Sequence, residues 1–392
     1  MREVVIVEAV RSPLGKRGGG LSAMHSTDLL AHVQREAVGR SGIDPREIGQ
    51  VVGGCVGQVG MQAMNVTRNA WLTAGLPLEV PATTVDAQCG SSQQATNLAH
   101  ALVAGGVVDV ALGCGVELMS TVRMGSTIPK DPFVGKPINR NYWDHYEFTS
   151  QFEGAERIAK QWGIARQDTD AFGVLSQERA ARAWAEGRFD SQVAPLDAPD
   201  WGEDGKPADS SHRVERDEGL RETSLEALAG LKSNLPDGVH TAGSSSQITD
   251  GAGAVLLATR EKAEALGLRP RAVVAGSCLV GSDPVLMLTG PIPATQKLLG
   301  DAGLQMSDID VVEINEAFAS VVLAWERELK PDMERVNPNG GAIALGHPLG
   351  GTGSILLTKA LHELERSGGE HALVTMCCGG GLGTGTLLRR VQ

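Results

Sequence analysis

The sequence lacks the features of several specialised protein classes. It has no excess of positive charge, since 35 Lys and Arg stand against 47 Asp and Glu and the formal net charge is −12. Non-specific nucleic-acid binding needs a basic face that neutralises phosphates, so we exclude that class. No apolar run approaches the ~20 residues of a membrane-spanning helix, and we therefore expect no membrane insertion.

Cysteine is also sparse. Six cysteines are spread over 392 residues without a CxxC pair, and the nine histidines do not cluster with them. This pattern excludes a disulfide scaffold and predicts no metal site. The chain opens on an apolar strand pattern without signal-peptide anatomy, and residues 389–392 are not a peroxisomal address. We expect a cytoplasmic protein.

What the chain does contain is an internal repeat, with segments of about 3–120 and 270–392 as two versions of one unit. In the first, residues 83–88 predict a strand, and a helix follows Cys89. In the second, the apolar run 342–345 leads to His347 and another helix. Alternating strands and helices predict an α/β fold with mixed or parallel sheets, and they give Cys89 and His347 equivalent places.

The repeat divides the chain into three parts. We expect an N-terminal half of residues 1–120 plus 249–269 and a C-terminal half of residues 270–392. Between them, residues 121–248 are more charged and predict an inserted loop domain. Its helices are predicted over 156–162 and 168–187, whereas residues 195–217 are polar and rich in turn-forming residues.

Four side chains at or just after predicted strand ends are candidates for chemistry. Cys89 lies at a strand-to-helix turn, where N–H groups and the helix end would lower its pKa, although a buried packing role suits a lone cysteine too. His347 suits a base, an oxyanion donor or a structural histidine. Cys377 directly follows the last predicted strand, residues 372–376. Asn315 suits either catalysis or an N-cap of the next helix.

A glycine-rich run, residues 379–385, superficially suits a dinucleotide loop. We reject that interpretation because such a loop must open a helix, and only seven residues follow Gly385. The run better suits backbone N–H groups that approach an oxyanion or a thioester.

These motifs resemble those of the thiolase family. Residues 86–95 around Cys89 look like its nucleophile motif, 315–318 match its NEAF box, 346–350 its GHPxG box, and 377–383 its CxGGGxG motif. Four motifs in the right order over nearly the whole chain are highly specific. The resemblance implies a duplicated α/β core, two βαβαβαββ-type halves with mixed sheets in an α/β/α/β/α arrangement, with an inserted loop domain that binds coenzyme A.

The resemblance also implies roles for five residues. Cys89 would attack the substrate and carry the acyl group. His347 would take the proton of Cys89 and, with a water held by Asn315, stabilise the thioester oxyanion. Cys377 would move a proton to or from the acetyl-CoA α-carbon. The N–H groups of Cys89 and Gly379 would form a second oxyanion hole. Cys378 is interpreted as a packing residue.

Substrate contacts follow from weaker matches. Ser246 lies in a segment that resembles TAGNAS, with Ser244 in place of Asn. Arg221 would suit the CoA phosphates, or else is a solvated surface charge. Met287 is kept in the acyl pocket, but Leu288 replaces the usual Gly, and the Met-Gly of the family's MGxTAEN segment is replaced within residues 151–157. We expect an unusual acyl pocket.

Residues 151–159 and 183–190 look similar to bacterial thiolases of steroid side-chain breakdown. The main hypothesis is cleavage of a bulky or medium-to-long 3-ketoacyl-CoA by CoA, with acyl-CoA and CoA as partners and no permanently bound cofactor. The first alternative is a biosynthetic enzyme that condenses two acetyl-CoA. The second is a non-catalytic CoA-binding partner subunit. The family implies a homodimer or homotetramer.

Overall fold

A computed structural model describes residues 2–391 of the protein. Met1 and Gln392, the outer ends of the two predicted halves, lie outside the described residues. The strands in chain order are β1 Val4–Arg11, β2 Gly15–Lys16, β3 Gln50–Gly54, β4 Ala82–Val85, β5 Val110–Leu118, β6 Leu196–Trp201, β7 Pro207–Val214, β8 Thr249–Thr259, β9 Ala272–Gly281, β10 Val311–Ile314, β11 His371–Cys378 and β12 Leu382–Arg390.

The helices pack around these strands and form the links between them. In chain order they are α1 Ser26–Ser41, α2 Val66–Thr73, α3 Ser91–Ala104, α4 Gln151–Gln161, α5 Arg166–Ala185, α6 Leu225–Ala229, α7 Arg260–Ala265, α8 Pro291–Ala302, α9 Ala319–Leu329, α10 Ala342–Leu345 and α11 Thr352–Ser367. None of the helices within residues 2–391 is long and apolar enough to cross a membrane.

Ten strands form one mixed sheet in the order β10-β11-β12-β9-β1-β8-β5-β3-β4, with β2 paired to β8. The halves meet where β1 pairs antiparallel with β9, Val5 opposite Val273 and Ile6 opposite Ala272. Away from this junction each half repeats the same succession, because β8, β5 and β3 correspond to β12, β11 and β10. The predicted duplicated α/β core is confirmed.

One part of the core lies between the sheet and two helices of related position, α3 and α11, and a larger part packs α1 and α2 against the strands. Ala95, Ala99, Leu357 and Leu361 pack in one apolar cluster with strand residues of both halves. Helix α11 is buried from Thr352 to Leu364. Shared burial of this kind brings the starts of α3 and α11 together, which is where Cys89 and His347 lie.

One element before His347 differs from the prediction. The run 342–345, predicted as the counterpart of the strand before Cys89, is the short helix α10. In the N-terminal half β4 pairs in parallel with β3, whereas at the corresponding place beside β10 there is a single parallel bridge between Val312 and Val336. A four-residue apolar run does not distinguish strand from helix by periodicity, and Ala and Leu favour the helix.

Between β5 and β8 the chain forms α4, α5, α6 and a two-stranded hairpin of β6 and β7. Both predicted helices are confirmed, although α4 begins at Gln151. Ser150 explains that start, because its hydroxyl accepts from the Glu153 N–H while the Glu153 carboxylate accepts from the Ser150 N–H. The stretch 195–217, expected to be turns, contains the hairpin.

Candidate active site

Cys89 lies in a tight link between β4 and α3. Gln88 adopts a left-handed conformation, with φ of 53°. The Ser91 hydroxyl holds this link, since it donates to the Gln88 carbonyl at 2.6 Å and accepts from the Ala87 N–H at 3.0 Å. A Cβ on Gly90 would lie 2.5 Å from the Cys378 sulfur, so only glycine fits directly after Cys89.

The prediction of a lowered Cys89 pKa is wrong. Burial raises the pKa of Cys89 to about 11, and the backbone N–H groups of Gly379 and Cys89 itself offset only part of that effect. Desolvation disfavours the thiolate more than these donors favour it. Cys89 is therefore a thiol at neutral pH, and a base must take its proton before it reacts.

His347 is buried and its imidazole is held from both sides. The Thr352 hydroxyl lies 2.6 Å from Nδ1 and donates to the Pro348 carbonyl at 2.9 Å, so it accepts the Nδ1–H. The Asn315 Nδ2 lies 3.4 Å from Nε2. This assigns the tautomer with a proton on Nδ1 and a lone pair on Nε2, which faces the Asn315 amide nitrogen. Burial lowers the pKa of His347 to about 4, which keeps the ring neutral.

Asn315 lies in the link from β10 to α9 and is fully buried. Its N–H donates to the Thr375 carbonyl at 3.1 Å. Its Oδ1 has no hydrogen-bond partner in the described part of the chain. Helix α9 begins at Ala319 with Phe318 at the N-cap, so the alternative interpretation of Asn315 as an N-cap is wrong.

Cys377 is the penultimate residue of β11 and is buried among Met287, Ala317 and Phe318. Burial raises the pKa of Cys377 well above its ordinary value, and the nearby Cys89 sulfur raises it further. Cys377 therefore keeps its proton. Cys378 is buried and unpaired by any disulfide, as a packing residue would be.

The glycine run after Cys378 is a hairpin turn. Gly380 and Gly381 have φ of 79° and 76°, and β12 begins at Leu382. A strand rather than a helix follows the glycines, which confirms that the run is not a dinucleotide loop. The turn presents Gly379 beside the Gln88 side chain, on the Cys89 side.

A cavity of about 670 Å³ joins these parts. Cys89, His347, Gly379, Ser246 and Met287 all line it, whereas Asn315 and Cys377 do not. Most of its remaining wall is apolar, and its larger apolar side chains are those of Val56, Met119, Val122, Met124, Ile128, Phe148, Phe152, Ile248, Leu288, Phe318 and Leu349. A mainly apolar cavity with a few convergent polar groups is typical of a small-molecule site.

Two of the pocket residues depend on close packing. Met287 has a φ of 62°, a strained conformation for a non-glycine residue. A Cβ on Gly154 of α4 would lie 2.7 Å from the Leu286 carbonyl oxygen, so this glycine lets the helix approach the Met287 loop. Phe152, two residues earlier, packs edge-on against Phe318 with ring centroids 5.4 Å apart.

The two predicted CoA-binding residues differ in position, since Ser246 lines the cavity and Arg221 does not. The Ser246 N–H donates to the Ala317 carbonyl at 2.9 Å, which fixes Ser246 at the cavity wall. Arg221 is exposed and does not line the cavity. Its guanidinium donates to the Ala242 carbonyl at 3.4 Å, and Ala242 does line the cavity.

Sequence reasoning missed two residues of this site. Thr352 holds the His347 ring, and its signal was a hydroxyl five residues after the histidine at a helix start. Glu117 is 1% exposed, lines the cavity and was not singled out, because a lone Glu within a strand carries no local signal. Within residues 2–391 no group of three or more His, Cys, Asp or Glu is arranged to hold a metal ion.

Comparison with known proteins agrees with this geometry. The thiolase N-terminal domain profile matches residues 4–261, and the thiolase C-terminal domain profile matches residues 268–390. A steroid 3-ketoacyl-CoA thiolase of Mycobacterium tuberculosis is 45% identical over 100% of this chain and 95% of its own length. A 3-ketoacyl-CoA thiolase of Bacillus subtilis is 40% identical over 98% of each chain.

A solved structure shows the same similarity. The crystal structure of the Bacillus anthracis acetyl-CoA acetyltransferase superposes with a TM-score of 0.90 at 35% identity, over 100% of this chain and 99% of that chain. Both halves of the sequence and the whole fold thus match one family of acyltransferases. The protein belongs to the thiolase family.

Proposed function

We propose that this thiolase works in the degradative direction and cleaves a 3-ketoacyl-CoA with CoA to acetyl-CoA and a shortened acyl-CoA. The observation that carries the proposal is the 670 Å³ cavity, which sets Cys89 and His347 against a long apolar wall. The Mycobacterium tuberculosis and Bacillus subtilis relatives are both named as 3-ketoacyl-CoA thiolases. Those names do not favour the biosynthetic alternative.

In the first half-reaction the neutral His347 takes the Cys89 proton on Nε2. The thiolate attacks the 3-keto carbon, the C2–C3 bond breaks, and the acyl group stays on Cys89 as a thioester. The electron pair leaves on the acetyl-CoA α-carbon. Cys377 supplies the proton for that carbon, a role supported by the raised pKa that keeps it a thiol.

In the second half-reaction the CoA thiol attacks the acyl group on Cys89. Cys377 accepts the thiol proton, which restores it for the next cycle, and Cys89 leaves and regains its proton. Oxyanions form on both substrates, and the N–H groups of Cys89 and Gly379 suit one of them. The Gly379 N–H already interacts with the Cys89 sulfur, which supports its place in this hole.

The other oxyanion lies on the thioester carbonyl that becomes acetyl-CoA. His347 Nε2, protonated by Cys89, and a water held by Asn315 suit it. The 3.4 Å contact between Asn315 and His347 supports a shared site. Three roles, namely base, acid and oxyanion donor, are thus divided among side chains that the fold gathers at the starts of α3 and α11 and the end of β11. A non-catalytic partner subunit would need none of them.

For the substrate we propose a bulky acyl group, because eleven apolar side chains larger than alanine, besides Met287, line the cavity. Ser246 would contact the pantetheine, and Arg221 would lie near the CoA phosphates, with residues 121–248 as the CoA-binding loop domain. Met287 would contact the acyl chain. A homodimer or homotetramer is the proposed assembly.

The direct experiment compares thiolysis rates on acetoacetyl-CoA and on 3-ketoacyl-CoAs of increasing length, ending with a steroidal side chain. We expect kcat/KM to rise with chain length, because each added methylene buried against the apolar wall contributes about 0.8 kcal/mol. A clear preference for acetoacetyl-CoA would contradict the degradative proposal.

A further inference from the structure

Glu117, near the end of β5, is a buried carboxylate that accepts hydrogen bonds from four N–H donors and a weaker one from the Cys55 thiol at 3.9 Å. Its Oε2 accepts from the Val56 and Gly350 N–H groups, each at 2.9 Å. Its Oε1 accepts from the Gly57 N–H at 3.0 Å and from the Gln62 Nε2 at 2.6 Å. No Lys, Arg or His in residues 2–391 forms an ion pair with it. Burial raises the pKa of Glu117, but these donors offset part of that effect and suit the ionised form.

These donors come from two loops that the carboxylate joins. Residues 55–57 follow β3, and Gly350 belongs to the turn after His347. A Cβ on Gly57 would lie 2.7 Å from Glu117 Oε1, and one on Gly350 would lie 2.8 Å from Oε2 and 2.6 Å from the Cys55 Cα. Both glycines are therefore required for the approach, which explains why the His347 turn carries a glycine at this position.

The turn that Glu117 holds is the one that orients the imidazole. Gly350 is two residues before Thr352, whose hydroxyl receives the His347 Nδ1–H at 2.6 Å. On the other side of the turn, the His347 N–H donates to the Thr249 hydroxyl at 3.2 Å. The backbone of His347 is thus held by Thr249 at the start of β8. The imidazole is held by Thr352, just after the turn that Glu117 anchors through the Gly350 N–H.

We propose that Glu117 is a positioning residue, which anchors the turn of residues 348–350 to the loop of residues 55–57 and thereby places the His347 imidazole for proton transfer with Cys89. The inference rests on the proposed function. A small displacement of a catalytic group lowers turnover strongly, so the anchor bears on kcat rather than on CoA binding.

Glu117 has a second effect, of opposite sign, that makes the proposal testable. The negative charge of Glu117 also raises the pKa of Cys89, although less than burial does. Removal of the charge alone would make Cys89 ionise more easily. Removal of the anchor would instead impair His347 and leave Cys89 accessible.

The test is Glu117→Gln in the full chain, which keeps the side-chain volume but sets an NH₂ group against backbone donors. We expect kcat for 3-ketoacyl-CoA thiolysis to fall about tenfold or more, and KM for CoA to stay within about twofold. Alkylation of Cys89 by iodoacetamide, followed by mass spectrometry, should slow at neutral pH, where His347 takes the thiol proton, and should approach the wild-type rate as pH rises toward the Cys89 pKa of about 11. The matched control is Gln58→Ala, which removes a bond to the Cys55 carbonyl in the same loop without touching Gly350.

Several outcomes overturn the inference. Wild-type kcat in a folded Glu117→Gln chain would do so, as would an alkylation rate that stays equally far below wild type at high pH, because the defect would then lie at Cys89 rather than at its base. Failure of the proposed function is recognised separately, because in that case the wild type itself would not cleave 3-ketoacyl-CoA. If Glu117→Gln does not fold, Gln62→Leu removes one of the four donors, and an unchanged kcat in that variant contradicts the anchor.

Discussion

The Thr352 hydroxyl is the group that sets the tautomer of His347, and its removal gives a sharp prediction. In Thr352→Val the buried Nδ1–H loses its only acceptor, a hydroxyl at 2.6 Å. An unpaired buried donor costs about 1–3 kcal/mol. The ring can relieve that cost by moving its proton to Nε2, which leaves no lone pair to accept the Cys89 proton.

We expect the loss to appear as turnover. Since about 1.4 kcal/mol corresponds to a tenfold change in rate, 1–3 kcal/mol predicts a fall in kcat of roughly five- to 150-fold. The assay is steady-state thiolysis of a 3-ketoacyl-CoA, with thermal unfolding measured in parallel. Substrate binding should change little, because Thr352 does not line the large cavity.

A matched control lies in the same helix. The Thr358 hydroxyl donates to the Ser354 carbonyl at 2.8 Å, as the Thr352 hydroxyl donates to Pro348, but it does not touch the imidazole. Thr358→Val should keep kcat. Equal activity in both variants, or an equal loss in both, would refute the assignment of the tautomer to Thr352.

Three further changes test the pocket, the buried imidazole and the scaffold. Phe152→Ala should lower kcat/KM for long 3-ketoacyl-CoAs more than for acetoacetyl-CoA, since it removes cavity wall and an aromatic pair worth about 0.5–1.5 kcal/mol. The lowered pKa of His347 predicts that stability falls as pH drops below 6.5, because the unfolded chain binds the proton more readily. Between pH 7 and pH 5 the free energy of unfolding in urea should therefore fall by about 2 kcal/mol less in His347→Gln than in the wild type. Arg11→Met should cost about 3–5 kcal/mol in urea unfolding, because it leaves the fully buried Asp217 carboxylate without its cation at 2.7 Å, and an unchanged midpoint would contradict this.

Local patterns predicted those parts of the site that depend on neighbouring residues. The strand-to-helix turn at Cys89 and the strand end at Cys377 follow from short apolar runs beside small residues, and both are present. The internal repeat predicted that Cys89 and His347 hold related places. It did so even though α10 replaces the expected strand, because the helix that follows each residue is the element that packs in the core.

Features that depend on distant residues were not predictable. The pKa of Cys89 is set by burial, and the side chains that close over it come from across the chain. The helix end and the N–H groups, which are local, suggested the opposite direction. Glu117 likewise obtains its donors from residues 56, 57, 62 and 350, and no spacing in the sequence relates these positions.

The central claim is that Cys89 carries the acyl group, and peptide mass spectrometry tests it most directly. The full chain is incubated with a 3-ketoacyl-CoA in the absence of CoA, quenched and digested. We predict a mass increase equal to the shortened acyl group on the peptide that contains Cys89, released on addition of CoA and absent in Cys89→Ala. An acyl adduct on Cys377 or Cys378 that persists in Cys89→Ala would contradict the account.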